Sequence, residues 1–284
     1  MLLLHPPPGY LCERASVTLA SGGLLDGTSR FTAGGEPLYQ MAASGTFTEL
    51  TVVPEIGTVK VGDDVPLTVA ALIGCGVLTG VGAAMNTADI HEGDSVVVVG
   101  CGGVGLNVIQ GARIKGAGEI IAVDMNETKL LLAKQFGATS TINASQGDPV
   151  SQVMSLTGER GADHAFEVIG LQQTIEQTIT MTRRGGEAIL VGIPKMDAVV
   201  ALPAFLGLVL QSKTIKGCWY GGSNVREDVP KLVELYQSGR LKLDELISRT
   251  ISLDGVNDAL EAMGSGELAR TVIDYSIDAS SSRR

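Results

Sequence analysis

The stretch Ser95-Val96-Val97-Val98-Val99-Gly100-Cys101-Gly102-Gly103-Val104-Gly105 decides the fold of this chain, because an apolar run leads directly into a glycine-rich hexapeptide. A helix-forming segment, 106–115, follows. A strand that runs through such a turn into a helix builds a pyrophosphate site. We expect Gly100 to permit the tight turn, Gly102 to let the backbone approach the phosphates, and Gly105 to let helix and strand pack closely.

An acidic residue closes the next apolar run. Asp124 follows the segment 119–123 and lies 22 residues after Gly102. This spacing places a carboxylate where it can bind a ribose 2′-hydroxyl. The same carboxylate would repel a 2′-phosphate, and no Arg occurs in the segment 125–128. The sequence therefore predicts NAD rather than NADP, with an ordinary glycine turn and a chance acid as the alternative.

Short apolar runs alternate with longer helical ones across the middle of the chain. Strands are predicted at 95–99, 119–123, 139–143, 164–168 and 187–191, and helices at 106–115, 127–136, 149–157 and 172–182. This alternation is typical of βαβ units and predicts an α/β fold with a doubly wound parallel (Rossmann) sheet. The turns Val168-Ile169-Gly170 and Val191-Gly192-Ile193 then lie at the carboxyl ends of strands, around the nucleotide.

The sequence on either side has a different texture. Residues 1–76 are rich in Gly, Thr and Pro, with strand-like pieces at 46–53 and 57–61, and a helix at 228–238 precedes a β-α-β tail that ends at Tyr275. Two flanks around one insert suggest a discontinuous second domain. We predict domain ranges of 1–76, 77–220 and 221–275, followed by a disordered tail at 276–284.

Composition limits the function classes. The net charge of −10 argues against a nucleic-acid partner, whose phosphates demand a basic face. The apolar stretch 198–210 is interrupted by Pro203 and Gly207 and is shorter than the roughly 20 residues that a bilayer span needs. We therefore expect no membrane partner and a cytoplasmic protein. Four scattered cysteines suit reduced thiols better than a disulfide framework.

Several motifs in register resemble one family. They are Leu72-Ile73-Gly74-Cys75-Gly76-Val77-Leu78-Thr79-Gly80, the glycine hexapeptide, Ile121-Ala122-Val123-Asp124-Met125-Asn126, Phe166-Glu167-Val168-Ile169-Gly170, and Ser265-Gly266-Glu267-Leu268-Ala269-Arg270-Thr271. Their order and spacing resemble the zinc-dependent medium-chain alcohol dehydrogenases, whose catalytic domain is mostly β and GroES-like. The likeness runs from about Cys12 to Tyr275 and is closest to the bacterial branch that includes the thiol-dependent formaldehyde dehydrogenases.

The resemblance implies a role for each matching position. Residues Gly100, Cys101, Gly102, Gly103, Val104 and Gly105 would hold the pyrophosphate, Asp124 and Lys129 the adenosine ribose, Val191 to Ile193 the nicotinamide amide, Thr79 the surroundings of the nicotinamide ring, and Arg270 a phosphate. Cys75 matches the last protein ligand of the catalytic zinc, and Cys12 matches one member of a structural zinc loop. Such a zinc lowers the pKa of an alcohol so that hydride can leave to NAD.

The chain departs from the family pattern at the metal sites. Members carry roughly ninety further residues before the matching segment, and these supply a Cys and a His for the catalytic zinc and most of the structural zinc loop. Of the three histidines, His91 and His164 are expected at the surface or at strand ends, and His5 stands beside three prolines. A single thiolate cannot hold zinc without two or three more ligands.

Two functions follow as hypotheses. The first is NAD-linked, zinc-dependent oxidation of a primary alcohol, or of the hemithioacetal of formaldehyde with a small thiol. The second is a non-catalytic NAD-binding fragment or paralogue. A zinc-free quinone reductase of the same superfamily fits less well, because Cys75 stands in the zinc-family context. The apolar segment 201–217 also suggests self-association as a homodimer or tetramer, with burial inside the monomer as the alternative.

Overall fold

The computed structural model describes residues 9–13, 18, 21–24, 26–40, 44–53, 55–265 and 269–279. Its strands are β1 (Phe31–Ala33), β2 (Glu36–Leu38), β3 (Ser95–Val99), β4 (Glu119–Asp124), β5 (Ser140–Asn143), β6 (Ala162–Glu167), β7 (Thr182–Leu190), β8 (Thr214–Gly217), β9 (Ile247–Ile251) and β10 (Arg270–Ile273). Its helices are α1 (Leu67–Thr87), α2 (Gly105–Ile114), α3 (Glu127–Phe136), α4 (Pro149–Leu156), α5 (Gln172–Met181), α6 (Val225–Gln237), α7 (Val256–Ser265) and α8 (Ser276–Ala279).

Six strands form one parallel sheet in the order β5-β4-β3-β6-β7-β8. At the centre, Val97 of β3 lies level with Ile121 of β4 and Ala165 of β6. The chain moves outward from β3 to β5 and then returns to β6 on the other side. The carboxyl ends of β3 and β6 therefore flank the switch point at which open α/β sheets bind ligands. This confirms the doubly wound sheet predicted from the sequence.

Both faces of the sheet are buried. Val96 and Val98 belong to the larger apolar cluster, whereas Val97 and Val99 belong to a second cluster. Successive side chains of a strand point to opposite faces, so the two clusters lie on the two sides of the sheet. A sheet that is covered on both sides has no need of a polar face, which explains the uninterrupted valine run.

The predicted elements between residues 95 and 191 are all present, and the main difference is the start of β7. It begins at Thr182 rather than at residue 187. Its pairing with β6 shifts register between Ala162 and His164. The segment Arg183–Gly186 therefore forms an irregular part of the strand, although its two glycines suggest a turn in the sequence.

Helix α1 crosses α2 closely. It alternates α-helical segments, Leu67–Leu72 and Leu78–Gly82, with π-helical segments, Ile73–Val77 and Ala83–Thr87. A Cβ added to Gly80 would lie 2.4 Å from the carbonyl oxygen of Val104, so only glycine permits this approach. The segment that carries Cys75 and Thr79 is thereby fixed against the helix that follows the glycine turn.

Helix α1 is also the one helix in the described ranges that is long and apolar enough to cross a membrane by length and composition. The sequence reasoning considered only the stretch 198–210 and overlooked this longer one. In the fold, 61% of the most apolar window of α1 is buried. Because a buried core helix meets the same two criteria, the finding is weak evidence for a span.

A buried ionic cluster lies near the amino-terminal edge of the sheet. His164, which is 5% exposed, has Nε2 3.0 Å from Asp94 Oδ2 and Nδ1 3.1 Å from Glu187 Oε2. Lys216 also forms an ion pair with Glu187. His164 therefore lies near a strand end, as expected, but it is not a surface residue. Exposed His91 lies in the turn before β3, as the sequence predicted.

The amino-terminal flank differs from the prediction. The described parts of 9–66 contain one antiparallel pair, β1 with β2, and the predicted strands at 46–53 and 57–61 are wrong. These two stretches have apolar residues, but no strand in the described part of the chain pairs with them. Phe47 and Leu50 are 60% and 87% exposed. The flank touches the carboxyl-terminal part of the chain where the Tyr275 hydroxyl donates to the carbonyl of Thr46.

The ends of the chain are described in part. Residues Ser276–Ala279 form a helical turn, before which Asp274 accepts hydrogen bonds from the N–H and the hydroxyl of Ser276. The disorder expected for 276–284 stays a prediction. Residues 280–284 and 1–8, including His5, lie outside the described residues. The predicted domain ranges stay predictions.

Candidate nucleotide-binding site

The glycine turn has the geometry that each of its glycines was expected to provide. Gly100 has a φ of +100°, in the left-handed region that favours glycine. A Cβ added to Gly105 would lie 1.8 Å from the carbonyl oxygen of Gly100, whereas a Cβ on Gly102 would meet no atom within 4 Å. Two glycines are thus required by the fold. Gly102 instead leaves space open beside the backbone at the amino terminus of α2.

A cation from the carboxyl-terminal part of the chain lies over this turn. The guanidinium of Arg270, at the start of β10, would be 2.5 Å from a Cβ on Gly103 and 2.3 Å from a Cβ on Gly76. Burial lowers the pKa of Arg270, and the nearby Cys75 opposes that shift. No carboxylate in the described part of the chain forms an ion pair with it. A half-buried, unpaired cation beside free helix N–H groups favours an anion.

Asp124 is held at the end of β4 with its carboxylate pointing to the same turn. Its Oδ2 accepts the N–H of Cys101 at 2.8 Å, and its Oδ1 accepts the N–H of Asn126 at 2.9 Å. Each oxygen keeps a lone pair, and the side chain is half-buried rather than enclosed. Two hydroxyls of a ribose could therefore be bound without breaking either hydrogen bond.

Lys129 and Cys101 lie beside this carboxylate. Burial raises the pKa of the Cys101 thiol, the Asp124 charge raises it further, and the Lys129 charge lowers it. Cys101 is therefore a buried neutral thiol that fills space in the turn, as the sequence suggested. Lys129 belongs to the first turn of α3.

The two predicted turns after β6 and β7 meet at the same edge. A Cβ on Gly170 would lie 2.4 Å from the carbonyl oxygen of Ile193, and the Ile169 side chain would lie 2.6 Å from a Cβ on Gly100. The N–H of Val168 also continues the ladder by donating to the carbonyl of Val99 at 2.9 Å. Backbone thus packs on backbone across three neighbouring turns.

Glu167 organises these turns, and the sequence reasoning gave it no role. Its carbonyl accepts the N–H groups of Val191 and Gly192, and its Oε1 accepts those of Ile169 and Gly170 and the hydroxyl of Thr174. The residue is fully buried. The sequence carried one sign of this role, because Glu167 ends an apolar strand three residues before Gly170. A buried carboxylate without hydrogen-bond partners is costly, so an acid at this position is expected to accept hydrogen bonds from the turn that follows it.

A second residue that the sequence reasoning missed is Tyr220, three residues after β8. Its hydroxyl donates to the carbonyl of Gly74, next to Cys75. Burial raises the pKa of Tyr220, and Cys75 adds to the rise. Its neighbour Gly221 presses on α1, because a Cβ there would lie 2.9 Å from the carbonyl oxygen of Thr79. Cys75 lies next to Gly76, and the Arg270 guanidinium lies over both Gly76 and Gly103 of the glycine turn.

The donors for a metal are fewer than a zinc site needs. No group of three His, Cys, Asp or Glu side chains that could hold a metal occurs in the described part of the chain. Both Cys75 and Cys12 are exposed thiols. Structural zinc needs four protein ligands and catalytic zinc about three. The residues described here therefore do not fit a zinc ion.

Comparison with known proteins decides the family. Residues 103–238 match the family model described as zinc-binding dehydrogenase. The chain is 40% identical over 267 residues to an S-(hydroxymethyl)glutathione dehydrogenase of Photobacterium damsela subsp. piscicida, covering 93% of this chain and 72% of the relative. It is 38% identical to the enzyme of the same name from Paracoccus denitrificans, again covering 93% of this chain and 72% of the relative. The chain belongs to the zinc-dependent medium-chain dehydrogenase family.

Solved structures agree with this assignment. The fold superposes with a TM-score of 0.87 on an alcohol dehydrogenase zinc-binding domain protein from Burkholderia ambifaria, at 32% identity and over 93% of this chain and 71% of that one. The TM-score is 0.81 against benzyl alcohol dehydrogenase from Acinetobacter calcoaceticus, at 30% identity and over 93% and 74% of the two chains. The expected family and its α/β fold are thus confirmed.

Proposed function

We propose that this dehydrogenase-family chain binds NAD(H) in the crevice at the carboxyl edge of its sheet. The observation that carries the proposal is the Asp124 carboxylate, which two backbone N–H groups hold in place while one lone pair on each oxygen stays free. Those lone pairs suit the two hydroxyls of an adenosine ribose. A 2′-phosphate would meet a like charge at the same place, so the proposed nucleotide is NAD rather than NADP.

The pyrophosphate is assigned to the glycine turn. The N–H groups at the amino terminus of α2 point toward an anion, and the open space beside Gly102 lets it come close to the backbone. Arg270 supplies the positive charge from the opposite wall. Because Gly103 and Gly76 have no side chains, the guanidinium can lie directly over the turn.

The nicotinamide end is assigned to the turn Val191–Ile193 and to the segment of α1 that contains Thr79. When bound, the nicotinamide ring accepts or donates a hydride. The chain's own part is to orient that ring through the backbone groups of the turn, whose position Glu167 fixes by accepting two of its N–H groups. Thr79 forms part of the wall beside the ring.

We further propose that nucleotide binding by this chain is not accompanied by alcohol oxidation. The named relatives act on S-(hydroxymethyl)glutathione, and a primary alcohol or a hydroxymethyl thiol adduct is the substrate class that the family suggests. Such an alcohol needs a metal to acidify it, and the described donors fall short of a zinc site. NAD-linked turnover in this chain is therefore the second candidate, which the family resemblance favours.

Nucleotide selectivity tests the first proposal. We expect the purified chain to bind NADH at least about 10-fold more tightly than NADPH, as one unfavourable charge contact implies. Asp124→Ser should lose most of that preference, and Asp197→Ser, at an exposed position away from the turn, should keep it. Equal binding of both nucleotides by the unmodified chain would refute the role given to Asp124.

A further inference from the structure

A cleft lies at the amino-terminal edge of the parallel sheet, opposite the carboxyl edge to which the nucleotide is assigned. Its volume is about 840 Å³, which is within the range of small-molecule sites. The loop after α4, the end of α5, the start of β7 and the segment that leads into β8 surround it. The charged side chains that line it are Glu159, Arg160, Asp163, Arg183, Arg184 and Lys213. We call this space the basic cleft, and the proposed function uses none of its residues.

The basic cleft is positive in a chain that is negative overall. Four cations and two carboxylates line it, so two positive charges are left over, whereas the whole chain has a net charge of −10. Asp163 is already occupied, because its carboxylate accepts hydrogen bonds from Ser95 and from the Arg183 guanidinium. Among the described residues, no carboxylate forms an ion pair with any of the other three cations. Unpaired cations that line one concave space attract an anion.

Backbone carbonyls hold three of the four cations in place. Lys213 Nζ donates to the carbonyl of Ile179 at 2.8 Å. Arg183 Nη1 donates to the carbonyl of Arg184 at 2.7 Å, and Arg184 Nη2 donates to the carbonyl of Leu210 at 3.3 Å. An ammonium has three donors and a guanidinium has five, so each of these side chains keeps N–H groups for a ligand. Because they are already held, they lose less freedom when an anion binds.

The environment of Lys213 also favours an anion. Burial lowers the pKa of Lys213, and no nearby carboxylate opposes the shift. A negatively charged ligand would supply the missing opposite charge.

The backbone around the basic cleft is strained at two positions. Glu159 and Ser212 have φ values of +61° and +48°, which are uncommon for residues other than glycine. They directly precede Arg160 and Lys213. Such strain persists only where the surroundings fix it, and it is concentrated at binding and catalytic sites. Two of the four cations thus leave the chain directly after a strained residue.

Apolar side chains complete the lining. Met154, Ile179, Leu202 and Pro203 lie beside the cations. A largely apolar surface with a few fixed polar groups is typical of sites for organic molecules rather than for bare inorganic ions. The planar fork of a guanidinium matches the oxygens of a phosphate or a carboxylate. The lining therefore suits an organic molecule with an anionic head.

We propose that the basic cleft binds a phosphate monoester that carries an apolar or aromatic group. Such an ester has close to two negative charges near neutral pH, which matches the two positive charges left over in the cleft. The phosphate is assigned to Arg160, Arg184 and Lys213, and the apolar group to the part of the cleft that Met154 and Leu202 line. The site is separate from the nucleotide crevice, so the inference does not depend on the binding of NAD(H).

Calorimetric titration with 1-naphthyl phosphate tests the proposal. We expect a dissociation constant below about 1 mM, with the same value in the presence and absence of saturating NADH. Naphthalene-1-sulfonate has the same ring and one negative charge fewer. It should bind about 10-fold more weakly, because it makes fewer charge-assisted contacts. 1-Naphthol, which lacks the anionic head, should not bind measurably.

Two substitutions locate the bound phosphate. Arg160→Gln and Arg184→Gln should each weaken 1-naphthyl phosphate about 10-fold, because each removes a charged donor. Both arginines are exposed, so neither change should alter the melting temperature. Arg183 is left unchanged, since it supports the fold through Asp163. Arg249→Gln, at an exposed position on β9, is the matched control and should bind as the parent does.

Several results would overturn the inference. If saturating NADH displaces 1-naphthyl phosphate, the probe occupies the nucleotide crevice instead. If all three arginine variants weaken it equally, the attraction is a general one and the cleft is not a site. If its affinity falls as the protein concentration rises, a second copy of the chain covers the cleft. A dissociation constant above about 1 mM would show that the cleft does not select phosphate monoesters.

Discussion

Two regions match the same family: the carboxyl edge of the sheet, where we propose that the nucleotide binds (the nucleotide edge), and the amino-terminal flank at 9–66. They differ in how completely the chain packs them. At the edge, backbone meets backbone so closely that a Cβ on Gly105 or Gly192 would overlap a neighbour. In the flank, Phe47 and Leu50 are exposed, and Cys12 is an exposed thiol in a short turn. The resemblance covers both regions, but among the described residues the closest approaches of backbone to backbone lie at the edge.

Glycine variants give the largest expected effect and test whether the edge is as tightly packed as it looks. Gly105→Ala should lower the free energy of unfolding by about 3 kcal/mol, because its Cβ would overlap the Gly100 carbonyl. Gly102→Ala should change the free energy of unfolding by no more than about 0.5 kcal/mol, because its methyl group would meet no protein atom. The same methyl group would fill the space proposed for the phosphates, so it should lower the affinity for NADH more than about 10-fold. Urea unfolding and NADH titration measure the two effects.

The flank provides the control for those variants. A Cβ on Gly57 would also meet no atom within 4 Å, so Gly57→Ala should change neither the stability nor NADH binding. If Gly102→Ala were to bind NADH as well as Gly57→Ala does, the phosphate would not lie at the glycine turn.

Acid unfolding tests the amino-terminal edge of the sheet, where Asp163 of β6 lies beside Ser95 of β3. Burial alone would raise the pKa of Asp163, but hydrogen bonds from the hydroxyl and N–H of Ser95 and the Arg183 guanidinium lower it to about 2. A carboxylate with a depressed pKa stabilises the fold above its unfolded pKa of about 3.9, and this contribution is lost as the pH falls toward 2. Asp163→Asn should therefore show a shallower loss of unfolding free energy between about pH 4 and pH 2.

Asp197→Asn is the control for acid unfolding, because its exposed carboxylate makes no hydrogen bond or ion pair with the described residues. In this variant the unfolding free energy should fall with decreasing pH as steeply as in the unmodified chain. An identical slope in Asp163→Asn would mean that the Ser95 and Arg183 contacts do not hold in solution.

Self-association carries the smallest expected effect. We propose that the segment Ala204–Val209 contacts a second copy of the chain, because Phe205, Leu206 and Val209 are 63–64% exposed and adjoin the edge strand β8. Val209→Lys should raise the dimer dissociation constant about 10-fold, as charges blunt such edges. Sedimentation velocity measures the dissociation constant. Leu131→Lys, at an exposed position on α3, is the control and should leave it unchanged. A monomer at micromolar concentration would remove the proposal.

The sequence predicted most of the region from 95 to 191, because each element there carries its own signal. The valine run of β3 indicates a strand buried on both faces, and Gly100 and Gly105 mark a turn that only glycine can make. Asp124 lies 22 residues after Gly102, the distance that brings the end of the next strand level with the glycine turn. In this region the local sequence pattern and the tertiary packing favour the same structure, so the pattern alone predicts the fold.

Outside this region, the structure of several residues depends on contacts with distant parts of the chain, which the local sequence pattern does not reveal. The stretch 46–53 has the composition of a strand, but a strand needs a neighbour, and among the described residues it has none. His164 looks like an ordinary strand-end residue until folding places Asp94 and Glu187 on its two nitrogens. Tyr220 gave no signal, since its contact with Gly74 spans 146 positions.

One preparation of the 284-residue chain tests the central claim that the nucleotide edge is complete and the metal site is not. NADH stoichiometry by calorimetric titration and zinc content by elemental analysis are measured side by side. The account predicts about one NADH and well below one zinc per chain, with no NAD reduction by primary alcohols or by formaldehyde with a thiol. One zinc per chain, lost together with turnover in Cys75→Ser, would contradict it.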